Sequence, residues 1–389
     1  MPRALLFFVL FFGLIACKST APTVDYLGQQ LPDSVPVVFA PDIVSKKGRL
    51  EHGISVAPDT RELAFGVLNE NDFKGEIWSA QKHATGWDEP SVFEPLKGTS
   101  AYLPHFSPDG KSLLFAKSKH DTLTYLTDIW ILRKNKGNWT GPEKLNDPIS
   151  TSSREAMAGM TLERSVYFSS NSKGNGLADL YFSPFQNGSY QPAIPIVAVN
   201  TEQDEESIFI SPNANYMIFS SYLSDESGPD LLISYKNSQG NWTIPKVLDQ
   251  GINTANWERR PFVSIDHRLL FFTRMIFNSS GLEESDIYWV NTQKLFKPFV
   301  FNPIPETVVP LGKTVIIQLP LDYFKDIDDR GPLKIDHVGP LLDWVKFDSK
   351  KMTFTLAPDK TGTFELALQA EDSFSNTTVA TVTVVVSDP

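Results

Sequence analysis

A single cysteine, Cys17, in a chain of 389 residues rules out any disulfide within it. Histidine is sparse as well. His52, His83, His105, His120, His267 and His337 are scattered, and none stand at ligand spacing. There is no Gly-x-Ser-x-Gly, no phosphate-binding Gly-Lys-Ser/Thr loop, no His-Glu-x-x-His and no Cys-x-x-Cys. These absences leave open a catalytic set assembled from distant parts of the chain. Basic residues are outnumbered 46 to 35, giving a net charge of −11 and a pI near 5.1. That balance argues against a nucleic-acid partner and against electrostatic docking on anionic lipid. Long apolar runs are missing too. The exception, Ala4 to Ala16, is too short to span a bilayer and, after the basic Arg3, suits a signal peptide.

What the chain has is repetition. Phe106-Ser-Pro-Asp-Gly110 is turn chemistry, followed by the apolar strand Leu113-Leu-Phe115 and a further strand at Asp128-Ile-Trp130. Trp139, Pro142 and Leu145 close the unit. The opening element recurs at Val56-Ala-Pro-Asp59, Met160-Thr-Leu-Glu163, Ile210-Ser-Pro-Asn213 and Val263-Ser-Ile-Asp266. A period of about 50 residues with four strand signals per repeat predicts propeller blades. The Trp and Phe of each repeat, among them Phe115, Trp130 and Trp139, are expected to pack between blades.

Ser107-Pro-Asp-Gly110 with Leu113-Leu-Phe115 and Asp128-Ile-Trp130 resembles the WD40-like repeat of bacterial TolB-type propellers, over roughly residues 34 to 296. The third repeat departs most, with Thr161-Leu-Glu-Arg164 in place of the turn. The resemblance implies a propeller and no particular activity. Leu14-Ile-Ala-Cys17 resembles a bacterial lipobox. It implies cleavage after residue 16 and a lipid anchor on Cys17 in the cell envelope. Lys18, by resemblance to lipoprotein sorting rules, implies the outer membrane. Residues 17 to 33 read as a tether.

Pro36-Val-Val-Phe39 with Ile43 and Ser45 matches the fourth-strand segment of other repeats, such as Pro142 to Leu145 with Ile149 and Ser150. It precedes the first repeat, whereas the fifth repeat lacks that segment. The N-terminal strand is therefore expected to complete the last blade, because an open ring would expose two sheet edges. The expected fold is all-β, with five blades closed by this strand. Six would require a degenerate repeat that the sequence does not display. Residues 302 to 389 change character. Asp343-Trp344, Phe354-Thr-Leu356, Thr361 to Leu366 and Ala370 to Ser373 resemble cadherin-like modules, which implies an immunoglobulin-like β-sandwich. Asp326, Asp328 and Asp372 there are candidate calcium ligands, weighed against a solvated acidic turn. No other cofactor is expected.

Aligning the repeats on their turns places Glu51, Ala101, Glu155, Glu205 and Glu258 in one column at the start of each first strand. First strands line a propeller's channel, so the glutamates are expected around one mouth. His52, Tyr102, Glu206, Arg259 and Arg260 follow as a chemically mixed border. The alternative role for the glutamates is to bond backbone at the blade tops. The leading functional expectation is an envelope lipoprotein that binds a protein, peptide or glycan at this mouth without chemistry of its own, favouring a polar ligand with charges of both signs. The competing expectation is an envelope hydrolase or lyase acting on a glycan or peptide through paired carboxylates among Glu205, Glu206 and Glu258.

Overall fold

A computed structural model describes residues 26–69, 72, 74–120, 126–172, 177–223, 228–248, 251–328 and 331–388. Cys17 and the apolar run before it lie outside these residues. Among the described residues, no helix is long and apolar enough to cross a membrane. The protein is all-β, of β-propeller type, with two short 3-10 turns among the described residues.

Each repeat forms an antiparallel sheet in sequence order. The second, for example, runs Ala101–Phe106, Ser112–Ser118, Thr127–Asn135 and Asn138–Lys144. The first strands of successive sheets touch, and Trp257–Val263 of the fifth touches Leu50–Val56 of the first, so the sheets stand in a closed ring. Phe115 is buried between the first two sheets, and Trp130 and Trp139 pack against the same core. Blade packing thus accounts for these aromatics.

The Ser-Pro-Asp-Gly turn holds itself. Ser107 Oγ donates to Asp109 Oδ1 at 2.6 Å and accepts from the Ser112 amide at 2.9 Å. Gly110 takes φ +67°. In the third repeat Arg164 adopts φ +68°, and its amide donates to the Thr161 carbonyl at 2.9 Å, so the same turn forms without glycine. Thr60, Ala214 and His267 do likewise in the other repeats. Each accepts the strain of a left-handed residue for the sake of the hairpin.

The fifth sheet, Trp257–Val263, Leu269–Asn278 and Gly281–Asn291, receives Val37–Val38 as its outer strand, in the register Val37 to Trp289 and Val38 to Tyr288. The Phe39 amide then donates to the Ile287 carbonyl at 2.7 Å. Leu145 donates to Ile129, Ile196 to Leu180 and Leu248 to Leu231 in the same way within single repeats. The expected tether needs shortening. Tyr26 and Leu27 are buried, and Tyr26 lies 5.7 Å from the Phe271 ring and 6.0 Å from Trp289. An aromatic that can leave water against the closing blade does so.

The C-terminal segment forms two sheets around one core. Thr307–Pro310, Thr377–Ser387, Gly362–Glu371 and Lys334–His337 make the first, and Val315–Gln318, Thr353–Leu356 and Val345–Asp348 the second. Inward alternation, as at Leu366, Leu368 and Ala370, fills the space between them with Trp344 and Phe354. This unit docks on the propeller. Phe299, in the link before it, stacks on Tyr235 with centroids 4.3 Å apart and pairs with Lys325, and Asn376 Nδ2 donates to the Gln293 and Phe296 carbonyls at 2.9 and 3.2 Å.

The three calcium candidates do not assemble. Among the described residues no three His, Cys, Asp or Glu side chains gather as a metal site. Asp372 Oδ1 instead accepts from the amides of Phe374 and Asn376, both at 2.8 Å, and its Oδ2 accepts from Asn376 Nδ2 at 2.6 Å. Asp326 Oδ1 accepts from the Asp328 amide at 3.1 Å. Short acidic side chains in turns satisfy local backbone first, and Asp372 is used to orient Asn376 toward the propeller.

Candidate functional site at the channel mouth

Every first strand carries a β-bulge, in the same column in four blades and one residue earlier in the first. Its register with the second strand shifts between Glu51 and Ile54, Tyr102 and His105, Ala156 and Gly159, Glu206 and Phe209, and Arg259 and Phe262. The bulged residue is left-handed: Gly53 (φ +77°), Leu103 (+58°), Met157 (+38°), Ser207 (+56°) and Arg260 (+58°). A bulge re-aims side chains, and non-glycine residues in this region cost roughly 1–3 kcal/mol each. The bulges converge across blades. A Cβ added to Gly53 would lie 3.4 Å from Leu103 and 3.5 Å from Arg260. Below them the channel is closed. His105, Phe209 and Phe262 form a three-ring plug with centroids 5.8 to 6.2 Å apart, leaving a cavity of about 30 Å³. Burial lowers the His105 pKa to about 4, so the plug is neutral.

Glu51, Glu155, Glu205 and Glu258 are all fully buried. Three of them make one repeated contact. Glu155 accepts from the Thr151 amide (3.0 Å) and hydroxyl (2.6 Å), Glu205 from Thr201 (2.8 and 2.6 Å), and Glu258 from Thr254 (3.0 and 2.7 Å). Ser170, Ser221 and Arg274 respectively supply a further donor. Glu51 accepts from Arg49 Nε at 2.6 Å. These carboxylates tie the connecting segment to the first strand, which is the backbone role weighed for them in the sequence.

The mixed border is brought together. Glu206 accepts from Arg259 Nη1 at 2.9 Å, Arg260 Nη1 at 3.2 Å and Arg154 Nη1 at 3.2 Å. Arg260 Nε donates to His52 Nε2 at 3.1 Å, and its Nη1 also donates to Ser207 Oγ. Arg259 Nη2 donates to the Tyr222 hydroxyl at 2.8 Å, and its guanidinium lies 4.7 Å from the Trp257 ring. Tyr102 packs edge-on to His52 at 6.3 Å. Burial opposes ionisation of Glu206, but Arg259, Arg154 and Arg260 outweigh it and hold the carboxyl far below its ordinary range. Burial, then the charges of Arg260 and Arg259, keep His52 neutral. Burial, then repulsion from Glu206, raises Asp204.

Three guanidiniums thus face Glu206 and Asp204, so the cluster carries an excess of positive charge when both acids are ionised. The ring glutamates, which the cationic side of the expected two-signed ligand would meet, are engaged with threonines and flanking donors. Glu205 and Glu258 bond to Thr201 and Thr254, whereas Glu206 bonds to the three arginines. The sequence reading missed Arg154, Ser207 and Tyr222. Arg154 stands immediately before Glu155, in a column shared with Leu50, Ser100, Asp204 and Trp257. Its chemical variety was the available signal.

No protein-family model matches the chain, and no curated protein matches it. Similar solved structures are of β-propeller type. An endo-arabinase from Bacteroides thetaiotaomicron is 12% identical with a TM-score of 0.40, over 66% of this chain and 95% of that one. A gluconolactonase from Xanthomonas campestris is 10% identical at 0.39, over 68% and 98%. A prolyl endopeptidase is 9% identical at 0.36, over 86% of this chain and 40% of that one. The expectation of a binder without catalysis is corrected by these comparisons. The similar structures are predominantly enzymes, including puromycin-hydrolysing peptidases and an oligogalacturonate lyase. Likeness at this level lends the chain none of their substrates.

Proposed function

We propose that this chain is a cell-envelope enzyme, a hydrolase or lyase, acting on a glycan at the open mouth of a five-bladed propeller. The C-terminal unit is taken as an immunoglobulin-like spacer, and Cys17 as the lipidated residue that anchors the protein, with Lys18 directing it to the outer membrane. One observation carries the enzymatic reading. Glu206, Arg259, Arg260 and His52 are buried together, with the half-buried Arg154 bonded to Glu206, beside the left-handed bulge residues Ser207 and Arg260. Buried ion pairs are poor stabilisers compared with apolar packing, so a fold gathers such a set where chemistry or recognition needs it. Strained backbone and perturbed titration at one place point the same way. The test is turnover by the purified protein of neutral and acidic polysaccharides, followed by reducing ends and by ultraviolet absorbance of unsaturated products. Product formation that Arg259→Gln abolishes is expected. Absence of turnover on every polysaccharide would refute the reading.

A further inference from the structure

Two buried nitrogens in the cluster lack a hydrogen-bond partner among the described residues: Arg259 Nε and His52 Nδ1. Both residues are more than nine-tenths buried. Both nitrogens are donors. Arg259 is a guanidinium, and His52 accepts at Nε2 from Arg260, so the proton of its neutral imidazole lies on Nδ1. Buried polar groups are nearly always satisfied, and an unmet pair of donors calls for an acceptor. The charge calls for the same thing, since three guanidiniums are set against Glu206 and Asp204.

The guanidiniums are also held in place before any ligand arrives. Tyr222 and Trp257 fix Arg259, while Ser207, Glu206 and His52 fix Arg260. A forked donor fixed in advance matches a planar carboxylate. Beside the arginines, Trp257 lies 5.9 Å from Tyr222 and 4.4 Å from Phe277, whose ring is 41% exposed. An exposed ring next to a carboxylate seat offers a flat apolar face of the kind that the C–H face of a sugar covers.

We propose that Arg154, Arg259 and Arg260 seat the carboxylate of a hexuronate unit, with Glu206 as their internal counter-charge. The inference rests on the mouth being the substrate site and narrows the glycan to an acidic one. A single carboxylate fits the charge excess better than a phosphate or sulfate ester cluster. A peptide's terminal carboxylate would meet the same arginines, but nothing in the cluster provides for its backbone.

Calorimetric titration of the purified protein with galacturonate and glucuronate, against galactose, glucose and a neutral-side-chain tripeptide, tests it. The uronates are expected to bind about tenfold or more tightly than the neutral sugars, a difference one extra charged contact readily supplies. Arg154 is the least buried of the three arginines, so Arg154→Gln is expected to melt like the parent and to lose uronate selectivity. Arg259→Lys, which keeps the charge and removes Nε, is expected to weaken uronate binding as well. Equal binding of acidic and neutral sugars, or no binding of any uronate, overturns the proposal. Tighter binding of the tripeptide overturns it in favour of a peptide. The enzymatic reading fails separately: uronate selectivity without turnover of any polysaccharide removes the enzyme and keeps the seat, whereas turnover of neutral glycans alone does the reverse.

Discussion

Ser45 and Ile287, 242 residues apart, exchange a pair of hydrogen bonds. The Ile287 amide donates to Ser45 Oγ at 3.2 Å, and Ser45 Oγ donates to the Ile287 carbonyl at 3.4 Å. Ser150 makes the same pair with Ile129, Asn200 with Leu180 and Asn253 with Leu231, each within about 22 residues. One local latch is thus used at four places, and at the ring closure it joins the two ends of the propeller.

Deleting Pro36 to Ser45 is therefore expected to destabilise the whole ring. Phe39 is fully buried, 5.2 Å from the Phe271 ring and 5.0 Å from Trp289. Phe39→Ala should cost about 3–5 kcal/mol, the usual range for emptying a large aromatic site. Ser45→Ala should cost about 1 kcal/mol. Denaturant unfolding at equilibrium measures both. A truncated protein that melts like the parent would show that the strand does not close the ring.

The ring glutamates and the border residues should separate cleanly under mutation. Glu155→Ala and Glu205→Ala each remove a fully buried carboxylate that accepts from a backbone amide and a hydroxyl, so a loss on the order of 2–3 kcal/mol is expected. Arg154→Gln should leave the melting temperature nearly unchanged and reduce activity. Thermal melts alongside turnover decide the matter. Full stability in Glu205→Ala with lost activity would return that glutamate to the site.

The split explains how far the sequence could be read. Repeat length, the turn at Ser107 to Gly110 and the returning strand at Val37–Val38 were legible because each copies a local pattern already present elsewhere. The column of glutamates was legible too, but not its role. Whether Glu205 faces the channel or its own Thr201 depends on the bulge two residues later, and Ser207, Leu103, Met157, Gly53 and Arg260 share no side-chain chemistry by which to recognise it. Arg154 was hidden for a similar reason. Its pairing with Glu206 is a contact between neighbouring blades, and a single repeat carries no mark of it.

Asn376 should prove to be a docking residue. Its amide reaches two propeller carbonyls and is oriented by Asp372. Asn376→Ala is expected to cost about 1–3 kcal/mol through the unpaired carbonyls. Added calcium should not raise the melting temperature, because amides and Asn376 already occupy the Asp372 carboxylate. A calcium-dependent rise, measured by scanning calorimetry, would restore the metal reading of Asp326, Asp328 and Asp372.

The seam between the fifth and first blades should give stability a pH dependence of its own. Glu51 is buried and lies against Asp286, and both carboxyls are raised by burial, Glu51 to about 8 despite its bond to Arg49. Two neighbouring carboxyls taken out of water resist ionising together, so one keeps its proton. Lys46, Lys47, Glu283 and Glu284 line the cavity beside them, but Arg49 is the cation in direct contact. The folded state thus holds a proton that the unfolded chain releases near the ordinary value of 4.5. Stability from this group is fully present below about pH 4.5, falls as pH rises toward 8, and levels off above it, at a rate of up to about 1.4 kcal/mol per unit for one proton. Glu155 and Glu205 are raised as well and add to the slope, so the informative quantity is a difference between proteins. Glu51→Gln supplies a permanent donor to Asp286 and removes the titration. It should match the parent near pH 5 and exceed it at pH 8, measured by urea unfolding at a series of pH values. Parallel pH profiles for the two proteins would mean that Glu51 is ionised in the fold and that Arg49, rather than a shared proton, balances the seam.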